Sequence, residues 1–124
     1  MGWSYREIDK IEDFYYKEDL EMKKVMVIGN SKHWKEIQNI QRDLTLSGYI
    51  VCGVNLLSPR ENFSDKQLRN VDEIMVEHLS GCDIVYVYKP KYCKLESHAV
   101  ALLRQARDWD KTILYNGRLE LQHA

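Results

Sequence analysis

The sequence predicts a three-layer α/β/α domain built on a parallel sheet of four or five strands. Three observations predict it. Short, continuous apolar runs centred on Val25–Ile28, Tyr49–Val54, Ile84–Tyr88 and Thr112–Tyr115 read as strands buried on both faces. The segments between them are of helical length, with apolar residues recurring every three or four positions. Such alternation of strand and helix implies parallel pairing with right-handed crossovers. The expected strand order is 2-1-3-4, as in flavodoxin-like and Rossmann-like sheets.

Taken in order, the first element is an amphipathic helix or arm over residues 1–21, ahead of a domain spanning residues 22–124. Ser4 with Glu7 three positions later has the pattern of a capping box. Ile8, Ile11 and Tyr15 then follow at helical spacing, with Trp3 and Phe14 nearby. This helix either packs on the domain outside its core or serves as a dimer arm. Lys24-Val25-Met26-Val27-Ile28, closed by Gly29-Asn30, is the first strand of the sheet and is expected in its interior. A helix from about His33 to Ser47 carries Trp34, Ile37, Ile40 and Leu44 on one face, and Gly48 is its left-handed stop.

The second strand covers Tyr49 to Val54, and residues 56–64, with Pro59 and Asn62, form a loop long enough to fold over a site. Asp65 is the expected cap of a helix reaching about Leu79, with Leu68, Val71, Met75 and Leu79 in register. Asp83 to Tyr88 is the third strand, with Asp83 placed to accept from neighbouring backbone amides. Ser97 is the expected cap of a helix running to about Trp109, and Thr112 to Tyr115 is the last clear strand.

Length and composition fit one soluble domain. The chain has 124 residues, 30% charged and 44% hydrophobic, and a net charge of −1, which gives no general argument for nucleic acid or acidic membranes. No apolar run approaches the length of a membrane span and no leader pattern is present, so a cytoplasmic protein is expected. Three widely spaced cysteines, Cys52, Cys82 and Cys93, are read as reduced thiols. No histidine–cysteine spacing suits zinc, and neither a metal nor a cofactor is expected. Charge is unevenly spread: residues 1–21 hold three basic and seven acidic groups, the remainder fifteen basic and twelve acidic. A mildly basic domain suits an anionic small ligand.

In an open parallel sheet, ligands bind beyond the C-terminal strand ends where the strand order reverses. The loop after the first strand supplies Gly29, Asn30, Ser31 and Trp34. The loop after the third supplies Tyr92, Glu96, Ser97 and His98. The unsatisfied N–H groups of the helix starting near Ser97 attract phosphate, and these eight residues are the expected ligand-binding and phosphate-binding set. Glu96 is the loop's carboxylate and the candidate for catalysis.

Four pieces in order carry a resemblance to a known family. They are Val27-Ile28-Gly29-Asn30-Ser31 with Trp34, the segment Gln41 to Val51, Cys82-Asp83-Ile84-Val85-Tyr86-Val87, and the pair Glu96-Ser97. Together they resemble the nucleoside 2-deoxyribosyltransferase superfamily, in a phage and bacterial branch, over about three quarters of the chain. That resemblance implies a metal-free scaffold for making or cleaving N-glycosidic bonds of deoxynucleosides or their monophosphates. It also implies a homo-oligomer, because sites of that family are often completed by a neighbouring subunit. The family's nucleophilic glutamate falls at Ala101 or, with one inserted residue, Leu102, and its ligand-orienting aspartate falls at Leu95.

The expected function is therefore binding of a nucleotide or nucleotide-derived small molecule on a catalytically degenerate scaffold. Two alternatives stand beside it. One is an active N-glycosidase or deoxyribosyltransferase using a displaced carboxylate such as Glu96. The other is a phage or mobile-element interaction protein that sequesters a nucleotide signal or binds a host protein.

Overall fold

The structure, a computed structural model, describes residues 3–7 and 23–122. Six strands form one sheet: β1 (Trp3–Glu7), β2 (Lys24–Gly29), β3 (Ile50–Cys52), β4 (Ile84–Tyr88), β5 (Thr112–Tyr115) and β6 (Arg118–Gln122), in the order β1-β6-β5-β4-β2-β3. Helices α1 (Trp34–Leu46), α2 (Asp65–Gly81) and α3 (Ser97–Asp108) connect the parallel strands. The four strands β3-β2-β4-β5 pair in parallel, which is the expected 2-1-3-4 order with Val25–Ile28 inside the sheet.

Two strands extend the sheet beyond that expectation. β6 pairs antiparallel with β5 through a tight turn at Asn116 and Gly117, both at positive φ (48° and 87°). That geometry matches the right-handed twist of a two-residue hairpin, and Asn-Gly is the residue pair it favours. β1 pairs antiparallel with β6, with Trp3 opposite Gln122 and Glu7 opposite Arg118. The helix expected to begin at Ser4 is thus replaced at its start by a strand. Trp3 and Tyr5 favour extended backbone, and β6 offers a free edge to pair with. The rest of that expected helix, residues 8–20, lies outside the described residues. Because β1 belongs to the same sheet, part of the segment expected as an arm joins the domain.

The pleat sorts the apolar strands into two cores. Val25 and Val27 of β2 face α1 with Ile37, Leu44, Tyr49, Ile84 and Leu114. Met26 and Ile28 point the other way, onto α2 and α3, with Met75, Leu79, Val85, Val87, Leu102 and Leu103 among their partners. Period-two alternation on a strand buried on both faces produces this split. Each fully buried aliphatic side chain contributes about 1.5–3 kcal/mol relative to exposure, so the sheet is clamped from both sides. Asp83, just ahead of β4, accepts the Lys24 backbone N–H through its carboxylate at 3.0 Å, the structural role its position suggests.

Helix boundaries follow local chemistry. Ser64, not Asp65, caps α2, with a reciprocal capping box to Gln67. Gly48 ends the α1 segment at φ 99°, a conformation glycine adopts without penalty. Glu96, not Ser97, occupies the cap position of α3, and its side chain makes no capping bond there because it is engaged elsewhere.

Candidate functional site

The chain leaves β2 toward β3 on one side and then crosses to β4 and β5 on the other, so the order reverses between β2 and β4. Gly29 and Tyr88 are paired at the C-terminal ends of these strands, and the connections leaving them meet at this edge. Gly29 is required by the sheet: a Cβ there would lie 2.8 Å from the Tyr88 carbonyl oxygen and 3.2 Å from the Ile37 side chain. Its role is close strand packing, with no room for a larger residue.

Asn30, 3% exposed, ties the two loops together. Its amide nitrogen donates to the Lys94 carbonyl at 2.7 Å, and its Oδ1 accepts the Glu96 backbone N–H at 2.6 Å. Glu96 reciprocates, its Oε1 accepting the Ser31 N–H at 2.5 Å and the Ser31 hydroxyl at 3.2 Å. A carboxylate at the start of the short 3₁₀ turn Ser31–His33 satisfies an N–H that has no partner within that turn. These bonds hold the first loop against the N-terminus of α3.

A third segment completes the cleft. The connection between β3 and α2 folds back over it, as the length of residues 56–64 suggested. Asn55 donates to the Trp34 carbonyl at 3.0 Å and to the Gln41 side chain at 3.3 Å. The Arg60 backbone N–H donates to the Ser31 hydroxyl at 3.1 Å. The Arg60 guanidinium makes a fork-on-fork pair with Asp72 of α2, at 2.9 and 3.0 Å, and its side chain is 18% exposed. The Asp72 side chain is 44% exposed, and it is the bidentate geometry that makes this pair firmer than an ordinary surface ion pair.

Beneath this loop lies a cavity of about 60 Å³, with Gly29, Ser31, Trp34, Arg60, Asp72 and His98 in its walls and Leu102 and Met75 in its apolar floor. Its size as it stands suits a few waters, while ligand sites run to several hundred Å³. His98, the second residue of α3, faces it together with Arg60 and Asp72. Burial first, then the Arg60 guanidinium, hold its imidazole below the ordinary histidine range. Glu96, Asp72 and a hydrogen bond to the Gly29 backbone pull the other way.

Of the eight residues singled out from sequence, Gly29, Ser31, Trp34 and His98 line the cavity. Asn30 and Glu96 brace it from outside. Tyr92, 92% exposed, and the exposed Ser97 stand away from it. Ala101, also exposed, does not line the cavity, whereas Leu102 does. Arg60, Asp72 and Asn55 were not singled out. Asp72 carried a readable signal: it stands beside Val71, four residues after Leu68 and three before Met75, an acid on the apolar side of its helix.

Among the described residues, no group of three or more His, Cys, Asp or Glu side chains is arranged to hold a metal ion. No helix among them is long and apolar enough to cross a membrane. Cys82, buried at the end of α2, has its thiol pushed up to about 11, chiefly by burial. Comparison with protein-family models, curated proteins and solved structures finds no match. The fold and cleft therefore define the class alone: a Rossmann-like α/β domain with a largely apolar cleft, edged by polar side chains, at its switch point.

Proposed function

We propose that this protein binds a nucleotide, or a small molecule derived from one, in the switch-point cleft without turning it over at enzymic rates. The observation that carries the reading is the pairing of a cation with a flat aromatic wall over a floor that lacks a nucleophile. Arg60 has five N–H donors; two engage Asp72 and three remain for a phosphate. The Trp34 indole supplies a face on which a base can stack. The resemblance puts the attacking carboxylate at Ala101 or, with one inserted residue, at Leu102; Ala101 is exposed and Leu102 lines the cavity, and neither side chain can attack. The remaining acids are engaged, Asp72 by Arg60 and Glu96 by Ser31. A covalent mechanism without its nucleophile loses the route that divides one hard step into two.

Because the cavity has a volume of only about 60 Å³, the ligand enters by displacing the segment from Gly53 to Ser64. Calorimetry with the common nucleoside and deoxynucleoside monophosphates tests the reading. A monophosphate should bind better than its nucleoside. Arg60→Ala should weaken it roughly 10- to 100-fold, as expected for losing a charge-assisted hydrogen bond of about 1.5–3 kcal/mol. Absence of binding at millimolar nucleotide would overturn the proposal. So would release of free base at about 1 s⁻¹, within the ordinary enzyme range, abolished by Glu96→Ala; that result would favour the displaced-carboxylate alternative.

A further inference from the structure

A second concavity lies on the other side of the loop that joins β4 to α3. It is a shallow hollow, widely open to solvent, with a volume of about 420 Å³, several times that of the switch-point cavity. Four cationic residues line it: Lys89 at the end of β4, Lys94 in the loop, and Arg104 and Arg107 on α3, with the Arg107 guanidinium donating to the Tyr115 hydroxyl at 3.5 Å. Among the described residues, the side chains of Lys89, Lys94 and Arg104 form no ion pair or hydrogen bond, and no acidic residue lines the hollow. The walls between the cations are apolar: Leu103 is buried, and the Tyr115 ring closes one side.

We propose that this concavity is a second ligand site, for a small aromatic molecule bearing a phosphate or carboxylate. Lys89, Lys94 and Arg104 lie along one hollow with no counter-ion among the described residues, so they repel one another, whereas an anion placed among them gains from each. The apolar wall and the Tyr115 ring discriminate for a ligand that brings a flat body along with its charge. The scaffold is rigid enough to hold the arrangement. The backbone of Lys89 is clamped by Asn116, which accepts its N–H at 2.9 Å and donates to its carbonyl at 2.7 Å. Arg104 rides on α3, and Leu103 beside it packs into the core. Such a site is independent of the switch-point reading, since the two hollows share no lining residue.

Amide-resolved NMR titration of the full chain tests it, with phenyl phosphate, inorganic phosphate and benzyl alcohol as probes. Phenyl phosphate should move the backbone amides of Leu95, Val100, Arg104 and Tyr115, and should bind more tightly than either other probe. The double variant Lys94→Glu/Arg104→Glu, at two exposed positions, should weaken phenyl phosphate binding about 10-fold or more with the thermal midpoint little changed. The proposal is overturned if these amides stay unmoved at millimolar phenyl phosphate, if inorganic phosphate binds equally well, or if the double variant binds as the parent does. Shifts confined to Ser31, Asn55 and Arg60 would also overturn it while leaving the cleft reading intact.

Discussion

Asn30 shows how a residue type readable as a ligand group can be used by the fold itself. An asparagine just past a strand end, beside a glycine, suggests a contact to substrate, and the sequence carries no mark that both ends of its amide are occupied. The structure uses the donor on Lys94 and the acceptor on Glu96, so this side chain is a brace between two loops. Ser97 illustrates the reverse: its cap role was inferred from residue type, but the chain turns into α3 one residue earlier, at Glu96. These assignments predict opposite responses to alanine. Asn30→Ala leaves a backbone N–H and a carbonyl without partners, at about 1–3 kcal/mol each where solvent is excluded. Thermal unfolding should then begin roughly 8 °C or more lower. Ser97→Ala, at an exposed site with no capping bond, should shift the midpoint by less than about 2 °C. Equal midpoints for the two variants in a calorimetric scan would show that Asn30 does not brace the loops.

At the scale of elements, the parallel strands and the three helices were legible because burial on two faces leaves continuous apolar runs and one-sided helices leave a 3.6-residue period. The edge was less legible. Asn116-Gly117 followed by the alternating Arg118-Leu119-Glu120-Leu121-Gln122 is a hairpin signal that could have identified β6; β1 could not be read without its partner, because Ser4 and Glu7 also spell a helix start. The loop from Gly53 to Ser64 has no period at all, so Arg60 came to the cleft unannounced. Its latch onto Asp72 has a measurable consequence on α3. Burial and Arg60 lower the His98 value in the folded state, so between that value and the ordinary 6.5 or so of an unfolded chain the unfolded state binds more protons. The contribution of His98 to stability is therefore lost as pH drops below about 7 through this window, and His98→Gln should remove that part of the pH dependence. Histidine-ring NMR should give a His98 midpoint below 6.5, and Arg60→Ala should raise it by removing one of the two lowering causes. A wild-type midpoint at or above 6.5, or a lower one in Arg60→Ala, would refute this account of the latch.

For the molecule as a whole, topology located the cleft before any side chain was known, since the reversal between β2 and β4 follows from strand order alone. What topology did not convey is how the two cores are coupled through the sheet. Val25 and Val27 belong to one, Met26 and Ile28 to the other, so neither face of β2 can loosen while the other stays packed. Cys82 reports on this coupling. It is 2% exposed, at the junction of α2 and β4, and its thiol is pushed up to about 11. At pH 8 only about one molecule in a thousand carries the reactive thiolate there, by the ordinary titration relation, and that fraction is screened from solvent. Alkylation by iodoacetamide, followed at Cys82 by peptide mass spectrometry, should therefore need opening of the whole domain. In native buffer Cys82 should remain unmodified over hours. In urea its labelling should rise in step with the loss of circular dichroism. If Cys82 labels in native buffer at a rate near that of the unfolded chain, the end of α2 opens locally. The two layers would then be separable units, and the interleaving of β2 would not make them one cooperative fold.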